Sequence, residues 1–180
     1  MIDSVYSKNI HIISGQISID DITLFMEKIQ EISETFQITI QAFNADFICG
    51  KNHIYSAAVH AMRAEKQQSK TTHSLAMEFL LYAAGERQIK HALKKIGITQ
   101  GKNNVVIVLF NIHKKTKNSV NQCIETLIDR FDIQIDDSLL TCSLQKIKNF
   151  GITETQLKTL TEKNYDYLIL EKIAEVDIIK

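Results

Sequence analysis

No apolar run in this chain approaches the roughly 18 to 20 residues that a membrane helix needs, so nothing in it reads as a helical membrane span. Proline is missing altogether. Beside the abundant isoleucine, lysine and asparagine this reads as genome composition, and no function follows from it. Cysteine is sparse: Cys49, Cys123 and Cys142 are odd in number and include no CxxC pair, which fits neither a disulfide framework nor a zinc ribbon. Buried, reduced thiols are expected. The opening stretch MIDSVYSKNI lacks the basic start and apolar core of a secretory signal, so a cytoplasmic location is expected.

Catalytic signatures are missing too. HExxH, GxSxG and GxGxxG do not occur; Gly50-Lys51 lacks the upstream glycine of a phosphate-binding loop, and Asn52 stands where that loop needs Ser or Thr. His53 and His60 are seven residues apart on a predicted helix, about 10.5 Å along its axis and too far to share an ion. No catalytic residue, metal ligand or cofactor is assigned, and the chain reads as a non-enzyme.

What is present is an ordinary globular composition, 44% hydrophobic and 23% charged, suited to one domain over residues 1–180. Net charge is zero but unevenly placed. Residues 1–47 hold 2 basic against 7 acidic side chains, 48–102 hold 9 against 3, and 103–180 hold 10 against 11. The basic middle third also carries four of the six histidines. Such asymmetry suggests an anionic partner, with a merely solvated face as the competing reading.

Residues 9–17 are β-branched enough for a strand, with Gly15 as a possible bulge. A helix follows Asp20, its Ile22, Phe25, Met26, Ile29, Ile32 and Phe36 facing inward. Residues 37–43 alternate as a second strand, and the six apolar residues from Val105 to Phe110 mark a strand covered on both faces. Helices are expected near 52–67, 118–131 and 138–150. Thr153 and Gln156 match a capping box, and a last helix spans 165–176. The fold class is α+β (mixed α/β): a small sheet of about three or four strands packed with helices, the C-terminal half mostly helical.

The stretch from Ser74 to Gly97 organises the functional reading. Leu75 to Ala84 is apolar on every side except Glu78, as befits a buried helix. Gly85 breaks it, and the next helix carries Arg87, Lys90, His91 and Lys94 on one face, with Ile89, Ala92, Leu93 and Ile96 inward. Backbone N–H groups at a helix start favour anions, and Gly85 would let one approach beside Arg87. On the helix expected near 52–67, His53, His60 and Arg63, with Lys51 just ahead of them, share a polar face that would complete a basic groove if the two faces converge. Two ordinary solvated faces are the alternative. Tyr165, Leu168, Ile169 and Ile173 read either as core or as a docking face for a partner.

FNADFICGKNHIYSAAVHAMRA, then SLAMEFLLYAAGERQIKHALKKIGI and the VVIVLF strand, resemble in order and spacing the kinase-binding small subunit of the KEOPS complex, the TPRKB-like family. YLILEKIAEVDII is a weaker echo. The resemblance implies a non-catalytic regulatory subunit in threonylcarbamoyladenosine biosynthesis on tRNA. It would bind the atypical kinase-like ATPase and recruit tRNA by its 3′ CCA end. The family motif falls on Gly85, Arg87, Gln88 and Ile89; Lys51, His53 and Arg63 are added, with Lys90 and Lys94, as RNA-binding residues. Tyr165, Leu168, Ile169 and Ile173 become the kinase interface. Ala84 departs from the family, which often has serine there. Few aromatic platforms lie nearby, Tyr55 and Tyr82 alone, so base stacking would fall to arginine or aliphatic side chains. Two alternatives stand beside this reading: a purely structural protein-interaction subunit without RNA contact, and a small-molecule-binding domain.

Overall fold

A computed structural model describes residues 9–159, 161 and 164–179; the first residues read above for targeting signals lie outside these. Among the described residues are four strands, β1 (Ile10–Ile19), β2 (Thr39–Asn44), β3 (Gly101–Phe110) and β4 (Gln134–Ile135), in one antiparallel sheet of order β2-β3-β1-β4. The helices are α1 (Ile22–Phe36), α2 (Gly50–Lys66), α3 (Leu75–Ala84), α4 (Ile89–Ile96), α5 (Lys117–Phe131), α6 (Leu144–Phe150), α7 (Glu154–Leu157) and α8 (Asp166–Ile179). The fold is therefore α+β. No helix among the described residues is long and apolar enough to cross a membrane.

The described residues gather into two compact units. The first runs through Ala45 and resumes over Ile98–Leu139; the second comprises Asp46–Gly97 and the chain from Leu140 onward.

In the first unit β3 is central, as its apolar run requires, with Val105 to Phe110 all buried. One sheet face offers Ile38, Ile40, Ala42, Val105, Ile107 and Leu109 to Phe25, Ile29 and Ile32 of α1 and to Val120, Cys123 and Leu127 of α5. Asp21, not Asp20, caps α1 by accepting from Leu24 N at 3.0 Å. Met26 is outward, 40% exposed, because the inner stripe of α1 is narrower than its apolar sequence. The β1 register runs unbroken through Gly15, so there is no bulge. Gly15 is needed instead because β4 crosses it: a Cβ there would lie 2.5 Å from the Gln134 carbonyl oxygen and 2.7 Å from Ile133 Cγ2. Gly15→Ala is accordingly expected to cost about 1–3 kcal/mol as overpacking, read as a lower urea midpoint; an unchanged midpoint would refute this close approach.

The second unit is helical and centred on α3, which packs against α2, α4 and α8. Phe79, Leu80, Leu81, Ala83 and Ala84 are fully buried, each large side chain contributing about 2 kcal/mol of hydrophobic stabilisation. The expected helix over 138–150 is broken. A 3-10 turn at Asp137–Leu140 ends before Cys142, and α6 restarts with Ser143 as its cap, accepting from Lys146 N. Cys142, within the interruption, is disulfide-bonded to Cys49 at the start of α2, which corrects the expectation of reduced thiols there. Cys123 is free and buried, and desolvation pushes its thiol up to about 11. The Thr153–Gln156 capping box is formed.

Candidate functional site

Every α-helix ends with four carbonyl groups that its own backbone leaves unpaired. At the end of α3 these belong to Leu81, Tyr82, Ala83 and Ala84, and all four receive a donor. Gly85 adopts a left-handed conformation (φ 63°, ψ 35°), so that its N–H reaches Tyr82 O and the Glu86 N–H reaches Leu81 O, both at 3.0 Å. His53 from α2 donates Nε2–H to Ala83 O at 2.8 Å, and Lys95 from α4 donates to Ala84 O at 2.8 Å. The sequence explains each choice: glycine tolerates positive φ, the imidazole of His53 supplies a neutral N–H donor, and the ammonium of Lys95 supplies a cationic one at the negative end of the helix dipole.

His53 is thus corrected from a groove residue to an internal one. It is 1% exposed; its Nδ1 accepts from Cys49 N at 3.1 Å, and its ring meets Phe150 edge-on at 5.3 Å. Burial drives its pKa down to about 4, helped by the charges of Lys95 and Lys146 and opposed by the bond to Ala83. The ring is neutral and offers nothing to a ligand at the surface.

Gly85 also differs from its expected role. It closes α3, and α4 begins four residues later with Gln88 as N-cap (φ −118°, ψ 130°) and no side-chain cap bond. The helix start that exposes N–H groups is therefore at Ile89 and Lys90, flanked by Arg87 and Gln88. Arg87, Gln88, Lys90, His91 and Lys94 are all exposed, and among the described residues Arg87, Lys90 and Lys94 enter no intramolecular ion pair. Only Ala92 and Ile96 of the expected inner stripe are buried; Ile89 and Leu93 are 39% and 48% exposed. The helix is two turns long and seats a single edge, so its apolar residues share the outer surface with the cations.

Lys51 and Arg63 do not stand together. Twelve residues separate them on α2, about 18 Å along the axis. Lys51 is exposed near the α2 N-terminus, which the His53–Ala83 bond holds at the Gly85 end of α3. Arg63 lies three turns away and faces Asp177 of α8 at 3.8 Å. Asp177 also meets His60 Nδ1 at 2.6 Å and accepts from the Tyr82 hydroxyl at 2.5 Å. Burial, and then Asp177, raises the Tyr82 phenol pKa. Tyr82 is consequently a core residue and no stacking platform. Glu78 is likewise buried, its Oε2 accepting from Thr71 N, Thr72 N and Thr72 Oγ1.

The expected kinase interface is corrected in the same way. Leu168, Ile169 and Ile173 are buried in the second unit and Tyr165 is half-buried, because these residues, with Val176, form the inner side of α8 and that side is core. Its outward apolar residues are Tyr167, 58% exposed, and Ile178, 82% exposed. The Asp177 hub and the paired His53 and Lys95 donors went unread in the sequence. A signal for Lys95 existed in its spacing, three residues after buried Ala92 and beside Ile96.

Residues 12–177 match the model of a protein family described as kinase binding protein CGI-121. A curated relative, the regulatory protein Cgi121 of Methanocaldococcus jannaschii, is 30% identical over 145 residues, covering 79% of this chain and 86% of its own length.

Proposed function

The chain belongs to the CGI-121 family of kinase-binding proteins, and from that membership we propose that it is a non-catalytic accessory subunit of the KEOPS tRNA-modification complex. In this reading it binds and regulates the kinase-like ATPase of threonylcarbamoyladenosine biosynthesis and recruits tRNA by the 3′ CCA end. The observation that carries the RNA half is the exposed surface of α4 and the turn before it, where Arg87, Lys90 and Lys94 enter no ion pair among the described residues and the helix start has no side-chain cap. Single-stranded RNA calls for phosphate contacts together with stacking. Arg87 supplies a guanidinium plane or fork, Gln88 an amide for a base edge, and Ile89 with Leu93 an aliphatic platform.

The kinase half falls to the outward side of α8. Tyr167→Ala combined with Ile178→Asp is expected to weaken binding to the ATPase subunit about tenfold or more, in the range of interface anchor residues, with an unchanged urea midpoint because both side chains are exposed. Ile169→Asp, in contrast, is expected to unfold the second unit. Calorimetric titration against the purified ATPase reads both, and full-strength binding by the double variant would move the kinase site elsewhere. The adaptor role as a whole is tested by immobilising the ATPase and measuring tRNA retention. Retention is expected to require this chain, and equal retention without it would refute the reading.

A further inference from the structure

One cation of α4 does not face outward with the others. Lys95 is half-buried, its Nζ 2.8 Å from Ala84 O, 3.4 Å from Glu86 Oε1 and 4.0 Å from the centre of the Phe150 ring. We propose that Lys95 is a positioning residue for the RNA-facing surface: it clamps the end of α4 to the Ala84–Gln88 turn and so fixes how Arg87 and Gln88 are displayed. This rests on the RNA-binding reading above and assigns Lys95 a role in it without direct RNA contact.

The geometry closes a loop. The turn leaves α3 at Ala84, passes Gly85 and Glu86, presents Arg87 and Gln88, and enters α4, whose last turn sends Lys95 back to Ala84 and Glu86. Phe150 forms the floor. A Cβ at Gly85 would touch two of its ring carbons at 3.4 Å, while Lys95 covers the ring as a cation–π partner. The Ala84 carbonyl is the last of α3 and lies at the negative end of its dipole, so an ammonium there is favoured. Burial lowers the pKa of Lys95, and the Glu86 carboxylate opposes that change. An arrangement that half-buries a lysine against one carbonyl and one carboxylate, while Lys90 and Lys94 on the same short helix are exposed and enter no ion pair among the described residues, separates two roles. The outer lysines meet the ligand, and the inner one holds their frame.

Three variants of the full chain test this: Lys95→Met, which keeps the stem over Phe150 but removes the donor, Lys95→Arg, which restores a cationic donor, and Lys95→Met combined with Arg87→Ala. In tRNA titrations Lys95→Met is expected to bind about five- to tenfold more weakly with an unchanged salt slope, since no phosphate contact is lost. Lys95→Arg is expected within about twofold of wild type, and the double variant no weaker than Arg87→Ala alone, the non-additivity expected of residues acting through one element. Hydrogen exchange on the free protein gives an RNA-independent reading. The Gly85 and Glu86 amides, bonded to Tyr82 and Leu81, are expected to exchange about tenfold faster in Lys95→Met and to recover in Lys95→Arg. Additive losses with a salt slope reduced by about one would make Lys95 a direct phosphate contact and overturn the proposal. Unchanged exchange would overturn it as well. A wild-type chain that fails to bind tRNA but shows the exchange pattern would sink the RNA reading alone.

Discussion

Replacing His53 with alanine is expected to destabilise the protein by about 3 kcal/mol or more, because it orphans two buried polar groups and opens a cavity between α2 and α3. The two groups are the Cys49 N–H, which donates to Nδ1, and the Ala83 carbonyl, which accepts from Nε2. The Cys49 bond needs the neutral ring, since a protonated imidazole has no acceptor for that N–H, while the Nε2–H bond to Ala83 exists in either state. Burial enforces that state, holding the pKa at about 4 against an ordinary 6.5. Above pH 6.5 the ring is neutral whether the chain is folded or not, so the stability is fully present. As pH falls from 6.5 toward 4 the unfolded chain takes up a proton that the folded one refuses, and stability is lost at up to about 1.4 kcal/mol per pH unit. Between pH 7.5 and 5 this amounts to about 2 kcal/mol. His53→Gln offers an amide N–H and a carbonyl in place of the two ring nitrogens and does not titrate. Urea unfolding at the two pH values is expected to show the wild type losing about 2 kcal/mol more than His53→Gln. Equal losses would mean that the ring is not the acid-sensitive element.

Reversing three charges on α4 and the turn before it, with Arg87→Glu, Lys90→Glu and Lys94→Glu together, is expected to reduce tRNA affinity by a factor of about 100 or more while leaving the fold intact. Exposure and the absence of internal ion-pair partners for these side chains among the described residues protect the stability. Glutamate at positions 87 and 90, near the first turn of α4, is favoured by the helix dipole, which offsets the unfavourable glutamate at position 94 in the last turn. Arg87→Ala alone is expected to cost about tenfold and to lower the salt slope by about one. A triple variant with wild-type affinity would place the RNA elsewhere or nowhere on this chain.

Much of the fold was legible because strong periodic or all-apolar signals coincide with deep burial. Leu75–Ala84 was bounded correctly from its apolar run and the break at Gly85, and the run from Val105 to Phe110 identified the central strand. β4 was not legible. Two residues carry no period, and only Gly15, a residue whose Cβ space is taken, hints that something crosses there. The pairing of Cys142 with Cys49, 93 residues away, was not legible either, since local sequence does not encode such a partner. The site was legible in charge but less so in geometry. Arg87, Gln88, Lys90 and Lys94 are displayed as expected, whereas His53 and Arg63 have partners that only tertiary structure supplies. Leu168, Ile169 and Ile173 show the limit most plainly. An apolar helix face reads the same whether another protein or the chain itself covers it, and here the chain covers it.

In the function proposed above, the basic surface at the start of α4 seats the end of a tRNA. Equilibrium titration of one tRNA transcript with and without its terminal CCA, at a fixed salt concentration, tests it most directly, with Arg87→Ala as the comparison. Affinity is expected to fall about tenfold or more when CCA is removed. Arg87→Ala is expected to weaken binding of the intact transcript and to add little further loss on the truncated one. Equal affinity for the two transcripts, with Arg87→Ala indistinguishable from wild type on both, would contradict it.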